Sequence, residues 1–428
     1  MPLMRSWVES ANSPDTSFPL NNLPYGVFGR GADEPVCGVA IGDMVLDLAV
    51  LETVGLLAFE DGDEIFNLPF LNGLMETGPQ AWAVVRENLI ELLAEGGNDA
   101  LSGNPALRGA ALVPMQDVTL YMPFLVAEYT DFYAGKQHAI NVGTMFRGAE
   151  NALPPNWLHI PIGYNGRASG VVVSGTDIHR PQGQLKAADE AAPHFGASAR
   201  MDIELELGAV VGVPTEMGMP VTTSEADEMI FGYVLLNDWS SRDIQAWEYQ
   251  PLGPFQGKAF GTSIGPWVVT KAALEPFRCA APERDEPLLP YLSERKPGLY
   301  DINLEVTLQP EGAPLATTIC KTNYNRMYYS AAQQLTHHAV GGCPMNTGDL
   351  LGSGTISGPD KSEYGSLLEK CWGGKEPFTL DTGEVRTFIE DYDRMTLRGW
   401  ASGDGYKIGF GECTGRILPA VQEPDWTK

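Results

Sequence analysis

Glycine and proline recur so densely along this chain that few stretches are long enough to form a helix. The 428 residues include 48 Gly and 32 Pro, and the short apolar runs between them indicate strands. Gly42-Asp43 stands between two such runs and predicts a hairpin turn, and Asp404-Gly405 predicts another late in the chain. Because strands do not alternate with long helices, a doubly wound sheet is disfavoured and a strand-rich α+β fold is expected.

A few stretches do carry a helical pattern. Residues 79–95 place their apolar side chains near one face and are followed by Gly96-Gly97, which predicts a helix that ends there. Three shorter helices are expected near residues 224–230, 240–249 and 326–339. The first helix completes a small N-terminal part that we expect to end near residue 118.

Charge and composition exclude several classes of partner. The formal net charge is −27, so the surface repels nucleic acid and gains no attraction to anionic membranes. The chain starts without an apolar leader and carries no run long enough to span a bilayer. We therefore expect a cytoplasmic protein, in which the six scattered cysteines are free, buried thiols.

Acidic residues alternate with apolar ones in "MDIELELGAVVG", which starts at Met201. The pattern predicts a strand with Glu204 and Glu206 on one face. One interpretation is an edge strand with a solvated acidic face, and the other is a strand that presents ligands to a cation.

A second acid, Asp238, follows an apolar run and precedes a predicted helix. Ser240 and Asp243 have the spacing of a capping box at the start of that helix. Arg242, Gln245 and Tyr249 follow at spacings of three and four, which places them on one helix face. A cation, an amide and a phenol on one face favour a polar pocket over a packed core.

These acids could form a metal site if they converge with Asp131. Two carboxylates about 4 Å apart repel by roughly 4 kcal/mol at an effective dielectric near 20, and a divalent cation removes that repulsion. A site made only of oxygen ligands selects Ca²⁺ or Mg²⁺ over Zn²⁺. The spacing of the acids along the chain does not by itself show that they meet.

The stretch from residue 131 to 148 gathers a carboxylate, a phenol, an imidazole and a guanidinium, namely Asp131, Tyr133, His138 and Arg147. A structural turn or half of an active site would both account for it. A competing motif, G-x-S-x-G at residues 261–265, suggests a serine nucleophile, but a strand pattern follows it where a helix is required.

The competing serine, Ser263, would need a base, and His337-His338 lie near a predicted helix C-terminus where a structural role is favoured. "GSGTISG" and "GFGECTG" do not match the dinucleotide fingerprint, so we interpret them as turns, with Thr355 as an exception.

Ordered motifs over nearly the whole chain resemble the fumarylacetoacetate hydrolase family. They include "NLPYGVF", "GVAIGD", "YTDFY", "MDIELE", "QQLTHH" and "GDGYK", together with the segments around residues 137–164 and 237–262. One departure is Asn165, where the family usually carries His. The resemblance implies a small β-barrel-like N-terminal domain over residues 1–118, a larger C-terminal β-roll over 119–428, and a homodimer.

The resemblance also implies an activity and a set of roles. The activity is metal-dependent hydrolysis of the C–C bond of a small diketo dicarboxylic acid, 4-fumarylacetoacetate, to fumarate and acetoacetate in tyrosine and phenylalanine catabolism, with no nucleotide or organic cofactor. His138 would be the general base and Glu369 the carboxylate that orients it. The cation, Ca²⁺ or Mg²⁺, would be held by Asp131, Glu204, Glu206 and Asp238, with Lys258 and Thr262 completing the neighbouring site. The oxyanion would be stabilised by Arg242, Gln245 and Lys258, and the substrate bound by Tyr133, Arg147, Tyr164, Gln245, Tyr249 and Thr355.

Two alternatives stay open at this point. A related enzyme could decarboxylate or isomerise a keto acid with the same metal carboxylates. Such an enzyme has less need of a water-activating base, so the presence of both His138 and Glu369 favours hydrolysis. A binding protein that kept the fold would be signalled by a lost ligand or base, and each is present.

Overall fold

The computed structural model describes residues 2–59, 62, 64–187, 189–284 and 286–423. Its N-terminal part is one antiparallel sheet, in the order β4-β3-β2-β1-β5, covered by short helices. The elements are β1 (Tyr25–Gly29), β2 (Val36–Ile41), β3 (Met44–Asp47), α1 (Leu48–Thr53), α2 (Asn72–Glu76), α3 (Pro79–Leu93), α4 (Asp99–Ser102), α5 (Pro105–Ala111), β4 (Leu112–Pro114) and β5 (Thr119–Leu120).

Local sequence signals account for this part well. The hairpin between β2 and β3 turns at Gly42, whose φ is +59° and whose missing Cβ leaves room for Ser10. Helix α3 starts at Pro79 and buries Val85 and Leu89. The predicted helix over 79–95 is therefore confirmed, and it ends two residues early.

The C-terminal part is larger and mixed. Its strands are β6 (Tyr129–Phe132), β7 (Gly163–Asn165), β8 (Val171–Val173), β9 (Ile178–His179), β10 (Gln182–Leu185), β11 (His194–Ala197), β12 (Met201–Asp202), β13 (Leu205–Val211), β14 (Ile230–Asp238), β15 (Ser240–Ser241), β16 (Thr262–Ile264), β17 (Val269–Thr270), β18 (Arg278–Cys279), β19 (Leu299–Tyr300), β20 (Asn303–Gln309), β21 (Thr317–Asn323), β22 (Leu350–Gly352), β23 (Phe378–Thr379), β24 (Val385–Arg386), β25 (Arg394–Ser402) and β26 (Lys407–Leu418). Its helices are α6 (Lys136–Arg147), α7 (Thr223–Met229), α8 (Arg242–Glu248), α9 (Gln256–Ala259), α10 (Lys271–Leu274), α11 (Ala331–Ala339) and α12 (Leu367–Lys370).

Two large sheets organise these strands. One runs β7-β6-β22-β13-β14-β16-β8, with β17 also paired to β14, and the other runs β21-β20-β25-β26-β9. The pairs β6–β22 and β8–β16 are parallel, whereas β13 is antiparallel to both neighbours. The expected α+β, strand-rich fold with a smaller N-terminal and a larger C-terminal part is confirmed.

The central strands β13 and β14 are buried on both faces, because each face meets a different core. Leu207 and Leu235 pack in the core of the C-terminal part, while Val210 and Leu236 pack with the N-terminal part. The ring of Trp82 from α3 meets the edge of Phe231 at a centroid distance of 5.1 Å. The interpretation of residues 201–212 as a solvated edge strand is wrong, since β13 pairs with a strand on each side and all of these residues are buried.

Two other expectations need correction and one is confirmed. The helix expected near 326–339 begins only at Ala331, after a capping box formed by Ser330 and Gln333. The hairpin at Asp404-Gly405 is confirmed between β25 and β26. All six cysteines are free, but Cys343 is exposed and Cys279 is half-buried, so the expectation that all are buried is wrong. In the part of the chain that the structure describes, no helix combines the length and the apolarity that crossing a membrane requires.

Candidate active site

Four carboxylates meet at one end of the large mixed sheet. Asp131 lies in β6, one residue before its end, and Asp238 is the last residue of β14. Glu206 lies on β13, and Glu204 lies in the two-residue gap between β12 and β13. One oxygen of each lies within 4.8 Å of the others, and all four side chains are buried. The strand register brings them together, since β13 runs beside both β14 and β22, and β22 places Gly352 opposite Asp131.

The electrostatics of this cluster fit a divalent cation. Burial, followed by the charge of Asp238, raises the pKa of Asp131 well above its usual range. Burial, followed by the charge of Asp131, does the same to the pKa of Glu206. Asp131 Oδ1 and Glu206 Oε1 are buried and have no hydrogen-bond partner among the described residues.

Glycine at position 352 leaves the space that a ligand would need. A Cβ there would lie 3.0 Å from Asp131 Oδ1, 3.0 Å from Glu206 Oε2 and 3.2 Å from the Tyr129 hydroxyl. Orphaned carboxylate oxygens around an open cradle are a donor set that could hold a hard cation such as Ca²⁺ or Mg²⁺.

Lys258 compensates part of the negative charge. Its Nζ donates to Glu204 Oε2 and, at 2.6 Å, to Asp238 Oδ2. Burial alone would lower the pKa of Lys258, but Asp238 and Glu204 outweigh burial and raise it. Lys258 is therefore a protonated donor to these carboxylates, and Thr262 Oγ1 adds a hydrogen bond to Asp238 Oδ1 at 3.1 Å.

Arg242, the first residue of α8, is buried beside the cluster. Its Nε donates to Asp202 Oδ2 at 2.8 Å, and Nη1 donates to Gln245 Oε1 at 3.2 Å. Nη2 lies 2.8 Å from Glu204 Oε1 in an ion pair and has no hydrogen bond to any other residue within the described ranges. Arg242 thus offers one buried donor to a ligand.

The start of α8 differs from the prediction. Its N-cap is Ser241 and not Ser240, and no side chain caps the helix. The Ser241 hydroxyl instead donates to Asp243 Oδ1 at 3.0 Å. The capping box of Ser240 and Asp243 is therefore wrong, because a two-residue strand, β15, continues to Ser241.

His138 and Glu369 form a buried pair. His138 lies in the first turn of α6, and its Nδ1 lies 2.6 Å from Glu369 Oε2. Glu369 also accepts hydrogen bonds from Asn141 at 2.8 Å, Ser357 at 2.9 Å and Ser366 at 2.8 Å. Burial alone would raise the pKa of Glu369, but His138 and the side-chain donors outweigh burial and lower it.

An ionised Glu369 accepts the proton on Nδ1, which leaves Nε2 of His138 as the basic nitrogen. Nε2 lies 3.7 Å from Glu204 Oε1 and faces the cavity. The ring of Tyr133 packs edge-on against the imidazole at 5.5 Å. The pair is therefore built to present one basic nitrogen beside the acidic cluster.

A cavity of about 400 Å³ opens above these groups. Most of the predicted site residues line it, namely Asp131, Tyr133, His138, Arg147, Tyr164, Glu204, Arg242, Gln245, Tyr249, Lys258 and Thr355. The other four are not among the lining residues and bind either a lining residue or one another, namely Glu206, Asp238, Thr262 and Glu369. Tyr164 lies in the wall of the cavity, and its hydroxyl is 3.5 Å from Asp238 Oδ2.

Arg147 and Tyr249 lie at the exposed side of the cavity. Arg147 Nε and Nη2 donate to the backbone oxygens of Asn151 at 3.1 Å and Ala152 at 2.6 Å. These bonds fix the plane of the guanidinium. Tyr249 is 44% exposed, and its hydroxyl accepts a hydrogen bond from the Gln250 amide, so both side chains are accessible to a ligand.

Sequence reasoning missed the residues that hold this machinery in place. Asp202 anchors Arg242, and Ser366 caps α12 while also binding Glu369. The spacing of Ser366 and Glu369 is that of an S-x-x-E capping pattern and could have been recognised. The apolar Phe146 and Leu252, which line the cavity but are mostly exposed, carried no signal.

The competing serine site does not assemble. Ser263 is fully buried in β16, and its hydroxyl accepts a hydrogen bond from Trp239 Nε1 at 2.8 Å. His337 and His338 lie at the end of α11 and pair with the hydroxyls of Tyr291 at 2.9 Å and Thr130 at 3.0 Å. Asn165 lies in β7 opposite Thr130 and outside the described lining of the main cavity.

A basic imidazole fixed by a buried carboxylate, beside an acidic cluster that could hold a divalent cation, defines an enzyme of the hydrolase class. Residues 21–123 match the fumarylacetoacetase N-terminal family, and residues 128–418 match the fumarylacetoacetate (FAA) hydrolase C-terminal family. The chain belongs to the fumarylacetoacetate hydrolase family.

Individual relatives agree with this assignment. The chain is 50% identical to a fumarylacetoacetase of Homo sapiens, with 95% of this chain and 97% of that protein covered. It is 48% identical to a fumarylacetoacetase of Arabidopsis thaliana, with 98% and 100% covered. In fold it is similar to a fumarylacetoacetate hydrolase from psychrophilic Exiguobacterium antarcticum, with a TM-score of 0.53, 17% identity, and 93% and 99% of the two chains covered.

Proposed function

We propose that this hydrolase cleaves the C–C bond of 4-fumarylacetoacetate with water and releases fumarate and acetoacetate, the last step of tyrosine and phenylalanine catabolism. The observation that carries the proposal is the His138–Glu369 pair, at 2.6 Å, facing the same cavity as the acidic cluster. Decarboxylation or isomerisation of a keto acid needs no base for water, whereas hydrolysis does.

The metal ligands in this proposal are Asp131, Glu204, Glu206 and Asp238. When bound, Ca²⁺ or Mg²⁺ would polarise the diketone as a Lewis acid and neutralise the carboxylates. Lys258 and Thr262 hold Asp238 in place through the hydrogen bonds described above. No nucleotide or organic cofactor takes part.

The chain's own residues supply the proton transfers. His138 Nε2 takes a proton from water. Glu369 accepts the hydrogen bond from Nδ1–H and stabilises the imidazolium that forms. The resulting hydroxide attacks the carbonyl carbon that joins the fumaryl and acetoacetyl parts. The C–C electron pair then leaves with the acetoacetyl carbon, which takes the proton from the imidazolium, so that fumarate and acetoacetate are both complete.

In this proposal three donors, Arg242, Gln245 and Lys258, would stabilise the oxyanion of the tetrahedral intermediate. Arg242 Nη2 is buried at the cavity without a hydrogen-bond partner in the described part of the chain, and Lys258 and Gln245 lie beside it. The substrate's other groups would be bound by the remaining polar lining residues, Tyr133, Arg147, Tyr164, Tyr249 and Thr355.

Three broader points belong to the same proposal. We infer a division into a β-barrel-like domain over residues 1–118 and a catalytic β-roll over 119–428, supported by two separately matched families and by the separate N-terminal sheet. We also infer a homodimer and a cytoplasmic location. Size-exclusion chromatography with light scattering tests the first of these two.

The experiment is a turnover assay with the diketo acid, followed by loss of its absorbance and by detection of both products. Chelator should abolish turnover and added Ca²⁺ or Mg²⁺ should restore it. His138→Ala should lower kcat by about 10² to 10⁴, and Glu369→Gln should lower it by a similar or smaller factor. Because the two residues act as a unit, the double variant should be scarcely worse than His138→Ala.

Two outcomes contradict the proposal. Near-normal kcat of folded, metal-loaded His138→Ala would show that the imidazole only fills a structural position. Release of CO₂ or an isomer in place of fumarate and acetoacetate would assign the chain to the alternative reaction class.

A further inference from the structure

Asp202 is a buried carboxylate that lies next to the acidic cluster but outside it. It is 0% exposed and accepts four hydrogen bonds, one from its neighbour Ile203 and three from two other pieces of the chain. Oδ1 accepts from the amides of Ile203 at 2.8 Å and Leu367 at 2.7 Å. Oδ2 accepts from Arg242 Nε at 2.8 Å and the amide of Leu368 at 2.9 Å.

The two pieces carry different halves of the chemistry. Arg242 starts α8 and lines the cavity, where its Nη2 is ion-paired with Glu204. Leu367 and Leu368 start α12, whose next residue, Glu369, binds His138. One carboxylate therefore connects the oxyanion donor to the residue that orients the base.

We propose that Asp202 is a positioning residue that holds Arg242 and Glu369 in a fixed relation, an inference that rests on the function proposed above. Asp202 is not among the described residues that line the cavity, so it acts through its two partners. Hydrolysis needs the base on one side of the carbonyl and the oxyanion donor on another. A misplacement of about 1 Å can cost about 10² in rate.

The position requires a carboxylate, because all four of its partners are donors. An Asn has one oxygen and one NH₂ group. Whichever way its amide is turned, the NH₂ faces two N–H groups, either those of Ile203 and Leu367 or those of Arg242 and Leu368. Asp202→Asn therefore keeps the size of the side chain and displaces one of the two pieces.

The chain offers a matched control for a purely structural Asp–Arg pair. Asp393 is 1% exposed and accepts from Arg386 Nε at 2.9 Å and Nη2 at 3.0 Å. It also accepts from the amide of Glu390 at 3.0 Å. Both residues of this pair lie outside the described lining of the cavity. Asp393→Asn should therefore lower stability without changing kcat per folded molecule.

The test measures kcat and KM of the full-length, metal-loaded enzyme, normalised to folded protein. Asp202→Asn should lower kcat at least tenfold while KM changes less than threefold, and Asp393→Asn should keep both near wild type. In the Arg242→Lys and Glu369→Gln backgrounds, Asp202→Asn should cost less than it does in wild type, because one of its two partners is already impaired.

Asp202→Asn with kcat within twofold of wild type would overturn the inference, and so would an equal loss of kcat in Asp393→Asn. Should Asp202→Asn fail to fold, Asp202→Glu keeps the charge and moves the carboxylate by one C–C bond. Its kcat should also fall, and a normal kcat there would refute the positioning role. Failure of the proposed function can be told apart from failure of the positioning role. It would leave His138→Ala active, whatever the kcat of the Asp202 variants.

Discussion

Replacing Glu206 by Gln should make the metal-free protein more stable and less responsive to metal. Glu206 Oε2 accepts the Gly354 amide at 2.8 Å, and Oε1 has no hydrogen-bond partner in the described structure. A Gln keeps the size and the acceptor for Gly354. It removes one negative charge from a buried cluster of four carboxylates.

The size of the effect follows from the separation of the charges. The ligand oxygens lie within 4.8 Å of one another, and two unit charges about 4.8 Å apart repel by about 3.5 kcal/mol at an effective dielectric near 20. Protonating Glu206 would remove this repulsion, but at pH 8 it would itself cost about 5 kcal/mol for a carboxyl with an unfolded pKa near 4.3. The carboxylate therefore stays charged. Unfolding entropies near 2.1 cal/mol/K per residue give about 0.9 kcal/mol/K for this chain, so Glu206→Gln should raise Tm in chelator by about 4 °C.

The effect should depend on pH with a definite sign. Burial, and then Asp131, raise the pKa of Glu206 in the folded state, so the folded protein binds this proton more tightly than the unfolded one. The stability of the wild type is then fully present below the unfolded pKa and is lost as pH rises through the raised folded value. The advantage of Glu206→Gln should therefore vanish near pH 4 and grow toward pH 8.

Thermal melts in chelator and in Ca²⁺ or Mg²⁺ measure both effects. At a metal concentration about 100 times Kd the wild type should gain about 2.7 kcal/mol, or about 3 °C, and Glu206→Gln should gain less at the same concentration. Asp393→Asn is the control, because it should lower Tm without changing the response to metal. A lower Tm of Glu206→Gln in chelator at pH 8, or an unchanged metal response, would refute the reasoning.

Three further predictions follow from the same structure. Gly352→Ala should lower metal affinity at least tenfold in a calorimetric titration, because the new Cβ would lie 3.0 Å from oxygens of Asp131 and Glu206; unchanged affinity would mean that the cation binds elsewhere. Burial raises the pKa of Asp349 to about 6, so its contribution to stability is present below about pH 4 and lost as pH rises through 6. The free energy of unfolding of Asp349→Asn should accordingly exceed that of the wild type by about 1–2 kcal/mol at pH 8, after allowance for solvent screening, and should equal it at pH 4. Arg147→Lys should raise KM about tenfold with a smaller change in kcat, because an ammonium cannot make the parallel bonds of a guanidinium; an unchanged KM would remove Arg147 from substrate binding.

Much of the local structure could be predicted from the sequence because its causes are local. The hairpins at Gly42 and Asp404-Gly405 depend on turn residues, and the helix Pro79–Leu93 on a proline start and an apolar face. Where neighbouring signals competed, the prediction failed. Ser240 has a capping spacing to Asp243, but the strand pairing of β12 with β15 carries the extended backbone one residue farther.

The chemistry of the site could be predicted as a set of residue types, but not as an arrangement. Alternating acids and a polar helix face indicated a possible metal site and a polar pocket, and the family resemblance assigned the base and oxyanion roles. The residues that position these groups carried a weaker signal in the sequence. Asp202 stood in the same alternation as Glu204 and Glu206 and could not be told apart from them.

The strand-and-turn framework and the kinds of side chain available follow directly from the sequence, because turn chemistry and periodicity act over a few residues. Long-range packing, by contrast, buries residues 201–211, since β13 is flanked by β14 and by β22 (Leu350–Gly352), which lies far along the chain. It also decided that Asp131 meets Glu206, through a register in which β6 joins β22 and β22 joins β13. Burial and long-range strand pairing thus gather ordinary acids into one cluster and raise the pKa values of Asp131, Glu206 and Asp238, because both depend on which distant segments pack together.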